Sequence, residues 1–528
     1  MIKIDINLQV GYSFSDLKEA IAARIPIGTD EIREARLLRR TLNLADTAKP
    51  YYKCTAAFSA SDEREAGLLK IRNKVSLYNE ELYSSGERKW DFRPVVVGAG
   101  PAGLFAALAL AEAGARPIVL ERGLTADERK RKIDLFTTLG VLDTECNVQF
   151  GEGGAGTFSD GKLKVGSPDK YKLRILYEFI RAGADEEIAF SSSAHLGTDK
   201  LLGIITRLRE KIEVLGGEFI FGARMTSLDV KDGKLNAVSY VKDGREERLD
   251  TSAAIIAIGH SARDSIRMLY GIGMHMEARP FGIGMRLEHK RDYINRIVYR
   301  DAYGIVPETA SYHLVTHLPS GRSVYSFCMC PGGTVVAATS SAGGIVTNGM
   351  SEHARMGENS NAAILVSVTP EDFETEHPLG GIALQEKIER AAYSLSDSYR
   401  APVSTLRDFM EGNKPLSLGA VEPTYPVGTF TELPEKYLPE YVTDSIRGGI
   451  VDFDAWMPGY AFGDAVFTGP ETRTTSPVRM NREADGTAIG IAGVYPSGEG
   501  AGYAGGIVSS ARDGIVQAEK LIMTFSHE

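Results

Sequence analysis

The chain has 528 residues, of which 43% are hydrophobic and 25% charged, and its formal net charge is −10. This composition is typical of globular proteins and excludes a disordered, fibrous or small disulfide-stabilised protein. The acidic balance also argues against a protein that binds nucleic acid over its whole surface, because that binding needs clustered cations.

The sequence predicts neither export nor a membrane span. Four cysteines are too few for a disulfide framework in a chain of this length, and the N-terminus does not follow a signal-peptide pattern. Two uncharged runs, 94–111 and 323–351, are interrupted by glycines and by proline or serine, so neither is expected to cross a membrane. We therefore expect a cytoplasmic protein with no membrane partner.

Residues 1–90 are predicted to form a small α+β domain. Isoleucines that alternate with polar residues from Ile2 onward indicate a half-buried strand, and Ser13 or Ser15 is expected to cap the helix that follows. The remaining elements are predicted as strands at 36–44 and 51–59, a helix at 62–78 and a linker at 83–91.

This domain carries 15 basic and 13 acidic residues, a net charge of +2. Arg33, Arg36, Arg39 and Arg40 cluster within it. Two interpretations stay open, since the arginines could bind a phosphate or an acidic partner, or they could form a solvated strand face.

From residue 91 the pattern becomes a short apolar strand, a glycine turn and a helix of small residues. The turn is Gly98-Ala-Gly100-Pro-Ala-Gly103, and Glu121 ends the next apolar strand. In such a βαβ unit Gly98 allows the tight turn, Gly100 lets a pyrophosphate approach the backbone, and Gly103 lets the helix pack on the sheet. The helix N-terminus then offers amides to the phosphates, and Glu121 is expected to bind both hydroxyls of an adenosine ribose.

Two further strings match the same glycine pattern. The string at 151–156 is followed by TFSDG, which is not a helix pattern, so we expect a flexible loop that places backbone amides against a cofactor. The string at 500–505 follows a strand and begins a helix, but only 23 residues remain after Gly505, too few for a second βαβ unit. Its helix is therefore predicted to serve the nucleotide bound at the first string.

The rest of the chain completes this plan. A helix and strand at 199–221 precede three strands joined at Asp232-Gly233 and Asp243-Gly244, which are hairpin turn signals. We predict a small domain at 1–90, a dinucleotide-binding domain made of 91–272 and 441–528, and an inserted domain at 273–440.

Several strings resemble known flavoproteins. VVVGAGPAGLFAALALAEAG with IVLERG, AAIIAIGHSARD, and GVYPSGEGAGYAGGIVSSARDGI resemble the three FAD signatures of the glutathione reductase structural superfamily. More narrowly, NVQFGEGGAGTFSDGKL, RPFGIGMRLEH, FCMCPGG, VTNGMS and GPETRTTSPVR resemble a bacterial family of uncharacterised FAD-dependent dehydrogenases. The resemblance covers residue 93 to the C-terminus, and residues 1–90 are similar to the small N-terminal domain of that family.

The resemblance implies an α/β protein with a glutathione reductase-type, Rossmann-like FAD-binding domain of three layers. That domain has a parallel sheet and a β-meander, and it carries an inserted α+β substrate domain. FAD is the implied cofactor, and no metal site is predicted. The residues expected to bind FAD are Gly98, Gly100, Pro101, Ala102, Gly103, Glu121, Arg122, Gly153, Gly154, Ser159, Asp160, Ala257, Gly259, Gly498, Glu499, Gly505, Gly506 and Ile507.

Two departures from better-known relatives matter. Glu499 follows Gly498 where many relatives have aspartate, and its contact with the ribityl chain is assumed. There is no second complete fingerprint for NAD(P)H, so this electron donor is possible but not supported by a motif.

The flavin end should be formed by two glycine-rich segments. Gly505, Gly506 and Ile507 are expected to place free amides near the flavin N1 and C2 carbonyl, although a plain structural helix is the alternative. Residues 153–162 are expected to lie across the pyrophosphate or the ring, with Ser159 and Asp160 as hydrogen-bonding candidates.

Candidate catalytic residues are fewer and less distinctive. Cys328 and Cys330 could form a redox pair, or they could be buried structural cysteines, and two ligands are too few for a closed zinc site. His260 and His353 could donate to the flavin or the substrate. Arg473 could bind an anionic group or form an interdomain ion pair, with Glu471 as its expected partner.

We expect an enzyme, an FAD-dependent oxidoreductase that transfers a hydride or two electrons to or from a small organic substrate. Two alternatives stay open. One is a flavin-dependent RNA-modifying or RNA-binding protein that uses residues 1–90 for recognition, which their near-neutral charge weakens. The other is a non-catalytic protein in which FAD is a structural or sensing element.

Overall fold

The computed structural model describes residues 1–71, 74–163, 166, 169–414 and 416–527. No helix within this part of the chain combines the length and the hydrophobicity that crossing a membrane requires. Short 3₁₀ helices occur at Ala155–Phe158, Glu186–Ala189, Arg300–Ala302, Pro370–Asp372 and Pro434–Lys436.

The N-terminal residues form an antiparallel four-stranded sheet in the order β2-β3-β1-β4. Its elements are β1 Ile2–Gln9, α1 Phe14–Ala22, β2 Glu34–Asn43, β3 Tyr51–Ser59, α2 Asp62–Leu68 and β4 Val75–Leu77. Every second residue of β1 is buried, as the alternation predicts. The amide of Ser13 donates to the Asp16 carboxylate at 2.6 Å, which fixes the start of α1.

Two expectations for this region are wrong. The helix expected at 62–78 ends at Leu68, and β4 instead pairs antiparallel with β1, where Leu77 lies opposite Ile2. Residues 72 and 73 of that stretch lie outside the described residues. The expected linker is also packed, because Tyr83 is buried in the core of the next domain.

Two of the four clustered arginines are paired within the chain. Arg36 forms an ion pair with Glu80, and Arg40 forms one with Glu187. The Arg40 guanidinium also lies 4.9 Å from the centroid of the Tyr52 ring. The Arg40–Glu187 pair fastens the N-terminal sheet to the rest of the chain, and both ion pairs leave less positive charge for an external anion.

The next segment builds an antiparallel meander of β8, β9 and β10 and four strands of a five-stranded parallel sheet. The fifth strand, β23 (Val494–Pro496), comes from the C-terminal part of the chain, and the order is β23-β11-β5-β6-β7. Asp232 and Asp243 have φ of +52° and +50°, in agreement with the expected hairpin turns. The elements are β5 Val95–Val97, α3 Pro101–Glu112, β6 Ile118–Glu121, α4 Ala126–Leu139, α5 Lys170–Arg181, α6 Thr198–Val214, β7 Glu218–Phe221, β8 Arg224–Lys231, β9 Lys234–Lys242, β10 Arg245–Asp250, β11 Ala254–Ile256, α7 Arg263–Gly271 and β12 Met276–Ala278.

The third part is a seven-stranded sheet in the order β14-β15-β18-β13-β21-β19-β20. Its elements are β13 Phe281–Lys290, α8 Arg291–Tyr299, β14 Val315–His317, β15 Ser323–Cys330, β16 Thr334–Ala337, β17 Thr347–Met350, β18 Asn359–Val368, α9 Gly380–Ser394, β19 Ala401–Thr405, α10 Leu406–Glu411, β20 Thr429–Thr431, α11 Glu440–Trp456 and β21 Val466–Glu471. The chain then returns through β22 Val478–Met480, β23 Val494–Pro496 and α12 Ile507–Phe525.

The inserted segment is longer than the sequence suggested. The boundary expected at residue 440 lies before α11, whose buried residues pack into the core of the seven-stranded sheet. β21 then pairs antiparallel with β13 in the same sheet. The chain therefore leaves this sheet only after Glu471, because β21 is needed to join β13 to β19.

The five-stranded sheet is the middle one of three layers. Helices α3, α5, α6 and α12 share a core on one face, and the meander with α7 shares a core on the other. Helices α3 and α12 approach very closely, since a β-carbon added at Gly514 would lie 2.1 Å from the carbonyl oxygen of Ala102. This contact brings the N-termini of the two helices to the same edge of the sheet.

Candidate functional site

A cavity of about 450 Å³ lies between the five-stranded sheet, the N-termini of α3 and α12, and the seven-stranded sheet. Gly98 and Glu121, which follow or end parallel strands, line one part of it, and Cys328 and Arg473 of the inserted segment line another. Such an edge, at the carboxyl ends of parallel strands, is where open α/β sheets bind ligands.

Most of the predicted residues meet in this cavity. Those that line it are Gly98, Gly100, Pro101, Ala102, Glu121, Arg122, Gly154, Ser159, Ala257, Gly259, His260, Cys328, Arg473, Glu499, Gly505, Gly506 and Ile507. The predicted residues Gly103, Gly153, Asp160, Cys330 and Gly498 do not line it.

The glycines of the first fingerprint have different surroundings. Gly98 has φ of +102°, and a β-carbon there would lie 2.3 Å from the carbonyl oxygen of Ala257. A β-carbon at Gly103 would lie 1.8 Å from the carbonyl oxygen of Gly98. At Gly100 the nearest atom would be the Gly154 α-carbon at 3.8 Å. Gly98 and Gly103 are thus needed because the neighbouring backbone leaves no room for a side chain. Gly100, by contrast, faces the open space that a pyrophosphate needs.

The carboxylate of Glu121 is bound by the surrounding backbone. Its Oε2 accepts a hydrogen bond from the amide of Ala99 at 2.8 Å, and its Oε1 accepts from the amides of Gly123 and Gly151 at 2.9 Å each. Three of the roughly four acceptor positions of a carboxylate are therefore in use. One position at Oε2 is left for a ribose hydroxyl, rather than the two that the sequence suggested.

Arg122 shapes the same end of the cavity. Its guanidinium carbon lies 4.1 Å from the centroid of the Phe150 ring. Its nitrogens lie 2.9 Å from carboxylate oxygens of both Asp264 and Glu145. Because it is paired with two carboxylates, Arg122 fixes the wall of the cavity and is not a free cation for a phosphate.

The loop at 151–156 is not the flexible segment that we expected. Arg129 of α4 is fully buried and donates to the carbonyl oxygens of Asn147, Val148 and Glu152 at 2.8 Å each and to that of Gly154 at 2.9 Å. Burial lowers the pKa of Arg129 to about 10, so the side chain stays charged near neutral pH. One cation thus organises the loop against the cavity.

Asp160 does not face the cofactor space. Its carboxylate is 1% exposed and accepts from Arg355 Nε at 3.1 Å and Nη2 at 2.5 Å, and from the Ser351 hydroxyl. Burial raises the pKa of Asp160, but the charges of Arg355 and Lys162 and the hydrogen bonds from Arg355 and Ser351 together outweigh it and lower that pKa below its usual value. Ser159 does line the cavity, and its Oγ donates to the carbonyl of Gly156 at 2.7 Å.

The N-terminal turn of α12 lies at the cavity. The amide of Gly505 is not free, because it donates to Ser509 Oγ at 3.2 Å. The amide of Ser510 donates to the Gly506 carbonyl at 2.9 Å. The amides of Gly506, Ile507, Val508 and Ser509 precede that bond and lack partners within the helix. All four residues line the cavity, where their amides can face a negatively charged group.

Glu499 and His260 form a polar pair on the wall. Glu499 Oε1 lies 3.1 Å from His260 Nδ1, and the histidine side chain is 10% exposed. The other ring nitrogen of His260, Nε2, is buried without a hydrogen-bond partner in the described part of the chain. A buried polar atom in this state marks a position where a ligand group can bind.

Arg473 forms an ion pair, but its partner is not Glu471. Arg473 Nη2 lies 2.9 Å from Glu389 Oε2, and Arg263 Nη2 lies 2.7 Å from Glu389 Oε1. Glu471 instead pairs with Arg286 of β13, with 2.9 Å between Arg286 Nη2 and Glu471 Oε1. The expectation was wrong because β21 turns Glu471 toward its neighbouring strand, while Arg473, after the strand, meets α9.

His353 lies away from the cavity. Its ring stacks on that of His195 with centroids 5.2 Å apart, and its Nε2 lies 2.9 Å from Asp185 Oδ2. It is not among the residues that line the cavity, so the suggested contact with flavin or substrate is not supported.

Sequence reasoning missed several wall residues. Lys162 lines the cavity and donates from Nζ to the carbonyl of Met329. Asn348 and Thr474 also line it. They lie inside strings that carried the family resemblance, but nothing in the strings distinguished them from their neighbours. In the sequence, nothing distinguishes Arg129 from a charged residue on an exposed helix, so its burial was not predicted.

Comparisons with known proteins agree with this geometry. A model described as FAD binding domain matches residues 91–278, and one described as FAD-dependent protein, C-terminal domain-like, matches residues 280–474. An uncharacterised protein of Clostridium beijerinckii is 42% identical over 530 residues, covering 99% of this chain and 98% of its own length. FAD is thereby confirmed as the cofactor.

Solved structures are similar at a lower level. The structure of CtdE in complex with FAD is 12% identical and covers 80% of this chain and 82% of its own, with a TM-score of 0.30. The 3-ketosteroid-Δ4-(5α)-dehydrogenase of Rhodococcus jostii RHA1, in complex with 4-androstene-3,17-dione, is 14% identical and covers 84% and 98%, with a TM-score of 0.33. TM-scores at this level do not identify a shared function.

The residues of the cavity fit FAD. The space in front of Gly100 accommodates a pyrophosphate, the amides of Gly506 and Ile507 suit a negatively charged group, and His260 Nε2 lacks a partner. These features lie along one cavity, as an extended dinucleotide requires.

Proposed function

Because the chain belongs to the family of FAD-dependent proteins that includes this uncharacterised Clostridium beijerinckii protein, we propose that it is an FAD-dependent oxidoreductase. It transfers a hydride or two electrons through FAD to or from a small organic substrate. The parallel sheet with its meander also supports placing the FAD-binding domain in the glutathione reductase structural superfamily.

One observation carries the proposal. The cavity that contains the phosphate space at Gly100 is continuous with a polar wall of the inserted segment, which includes Cys328, Asn348 and Arg473. A small molecule bound at that wall can therefore meet the ring of an FAD whose phosphates lie at α3. A cofactor with a purely structural role does not need this second, chemically varied wall.

Several residues and segments have distinct roles in the proposed reaction. FAD supplies the redox chemistry when bound. The Gly506 and Ile507 amides, at the positive end of α12, stabilise negative charge that develops on a group in front of them. Arg129 and Glu121 hold the loops that orient the nucleotide, and the inserted sheet shields the site from water.

The test is an anaerobic visible spectrum of the FAD-loaded protein before and after addition of NADPH, NADH or the small dithiol dihydrolipoamide. The proposal expects at least one donor to bleach the bands of oxidised flavin. Bands that persist with all three donors, while dithionite bleaches them, would support the non-catalytic alternative instead.

A further inference from the structure

Two thiols lie where the inserted sheet meets the cavity. Cys328 lines the cavity, and Cys330, two residues later in β15, is fully buried behind it. Both are free thiols. The Cys330 Sγ donates to the carbonyl oxygen of Cys328 at 3.2 Å, so the two residues are in direct contact.

The strand is distorted at this point. β15 pairs with β18 in a register that shifts between Phe327 and Cys330, which is a β-bulge. Cys328 lies within the bulge and has φ of +43°, a left-handed conformation that is uncommon for a residue with a side chain. Strain of this kind persists where the surroundings impose it, and it is concentrated at functional sites.

A buried arginine contacts both cysteines. Arg286 is 0% exposed and donates from Nη1 to the Cys328 carbonyl at 2.8 Å, and the same nitrogen lies 3.9 Å from Cys330 Sγ. Its remaining partners are Glu471, Asn348 and Asn361. These hydrogen bonds fix the position of the Arg286 guanidinium next to the two cysteines.

The charges around Cys328 favour its thiolate. The neighbouring Cys330 thiol lowers the pKa of Cys328, and although burial opposes this, the positive charges of Arg286 and Lys162 lower it further. The neighbouring Cys328 side chain, together with burial, raises the pKa of Cys330. One thiolate beside one protonated thiol is the state from which a dithiol is oxidised.

The pair is connected to the start of α12 through one loop. The loop that carries Gly156 packs against Ile507, since a β-carbon at Gly156 would lie 3.1 Å from Ile507 Cγ1. Lys162 of the same loop donates to the carbonyl of Met329, between the two cysteines. These contacts connect the start of α12 to the C-x-C segment.

We propose that Cys328 and Cys330 form a redox-active dithiol that exchanges two electrons with the FAD of this protein. In the oxidative direction the S–H bond of Cys330 breaks and an S–S bond forms between the two sulfurs. The two electrons and the Cys330 proton pass to FAD, so a thiolate, a thiol and oxidised FAD become a disulfide and anionic reduced FAD. This inference rests on the proposed function, because it needs the flavin at this end of the cavity.

The experiment is an anaerobic dithionite titration of the FAD-loaded protein after oxidation with ferricyanide and desalting. The wild-type protein should take up two equivalents of dithionite, one for FAD and one for the disulfide. Its free thiols, counted in denaturant, should rise from two to four. Peptide mapping after alkylation should place the disulfide at Cys328 and Cys330.

Matched variants show which cysteines account for the second equivalent of dithionite. Cys328→Ser and Cys330→Ser should each take up one equivalent, whereas Cys54→Ser, which changes a buried thiol of the N-terminal sheet, should still take up two. If a Cys328 or Cys330 variant fails to bind FAD, the wild-type and Cys54→Ser titrations with the peptide map still decide the question.

The outcomes separate this inference from the proposed function. A wild-type protein that takes up one equivalent and keeps four thiols after oxidation would overturn the dithiol and leave the oxidoreductase intact. A protein without flavin bands after reconstitution with FAD would overturn both. Two equivalents with a disulfide elsewhere in the chain would also overturn the dithiol.

Discussion

Gly154 lies so close to Gly100 that a β-carbon added to it would be 2.9 Å from the Gly100 α-carbon. Each glycine comes from a different glycine-rich string, one before α3 and one in the loop that Arg129 organises. Their backbones therefore pack directly against each other, while a β-carbon at Gly100 would have no neighbour closer than 3.8 Å. The two glycine-rich strings thus meet at one wall of the cavity.

The first prediction tests that space. Gly100→Val should fold but purify without colour, with at least tenfold less bound FAD, because its methyl groups occupy the pyrophosphate position. Absorbance of the purified protein at equal concentration measures the flavin. Gly103→Ala is the contrasting variant and should lower the yield of folded protein, since its β-carbon overlaps the Gly98 carbonyl. Full flavin content in Gly100→Val would show that the phosphates lie elsewhere.

The second prediction concerns the buried cation of α4. Arg129→Gln removes hydrogen bonds to four loop carbonyls, so we expect stability to fall by about 3 kcal/mol and FAD affinity to fall at least tenfold. FAD titration followed by fluorescence, and urea unfolding, measure the two effects. Arg131→Gln on the exposed face of the same helix should change neither. Equal behaviour of the two variants would refute the role of Arg129.

The third prediction concerns the ion pairs behind the cavity wall. Glu389→Ala leaves Arg263 and Arg473 buried without their shared carboxylate and should cost about 3–5 kcal/mol of stability. Glu386→Ala on the same helix removes a carboxylate that pairs with the half-exposed Arg267 at 2.8 Å and lies 3.9 Å from Arg263, and because Arg263 keeps Glu389 the change should cost at most about 1 kcal/mol. The midpoints of urea unfolding compare them. A smaller loss for Glu389→Ala than for Glu386→Ala would contradict the assignment.

The fourth prediction is a pH dependence. His289 is fully buried, its Nε2 lies 2.9 Å from the Tyr460 carbonyl oxygen, and burial lowers its pKa from 6.5 to about 4. Below pH 6.5 the unfolded chain therefore binds a proton that the folded chain does not. The stabilisation is complete above that pH, and near pH 5 about 2 kcal/mol of it is lost.

A variant isolates this histidine from the other titrating groups. His289→Gln keeps a donor for the Tyr460 carbonyl but does not titrate. Between about pH 7.5 and pH 5 its unfolding midpoint should fall less than that of the wild-type protein, by an amount that corresponds to about 2 kcal/mol. Parallel pH dependences of the two proteins would show that folding does not lower the pKa of His289.

Local patterns were sufficient for much of the fold. The alternation in β1, the turn residues of the meander and the fingerprint around Gly100 are short-range signals, because each depends on the conformation of a few adjacent residues. They predicted the strands, the turns and the nucleotide end of the site. The helix expected at 62–78 is the exception, since pairing with β1 outweighed the helical pattern.

Side-chain partners could not be predicted in the same way. Asp160 pairs with Arg355, which is 195 residues away, and Glu471 pairs with Arg286 rather than with the nearby Arg473. Such choices depend on which strands become neighbours, and the sequence pattern does not specify that. The same holds for Arg129, whose burial follows from the loop that packs around it.

The central claim is that FAD in this cavity exchanges electrons with small molecules. The most direct measurement is the anaerobic visible spectrum of the FAD-loaded wild-type protein, recorded before and after NADPH, NADH or dihydrolipoamide is added. The account predicts flavin bands in the wild-type protein, none in Gly100→Val, and bleaching of the wild-type bands by at least one of the three donors. Bands that only dithionite bleaches, or full flavin content in Gly100→Val, would contradict it.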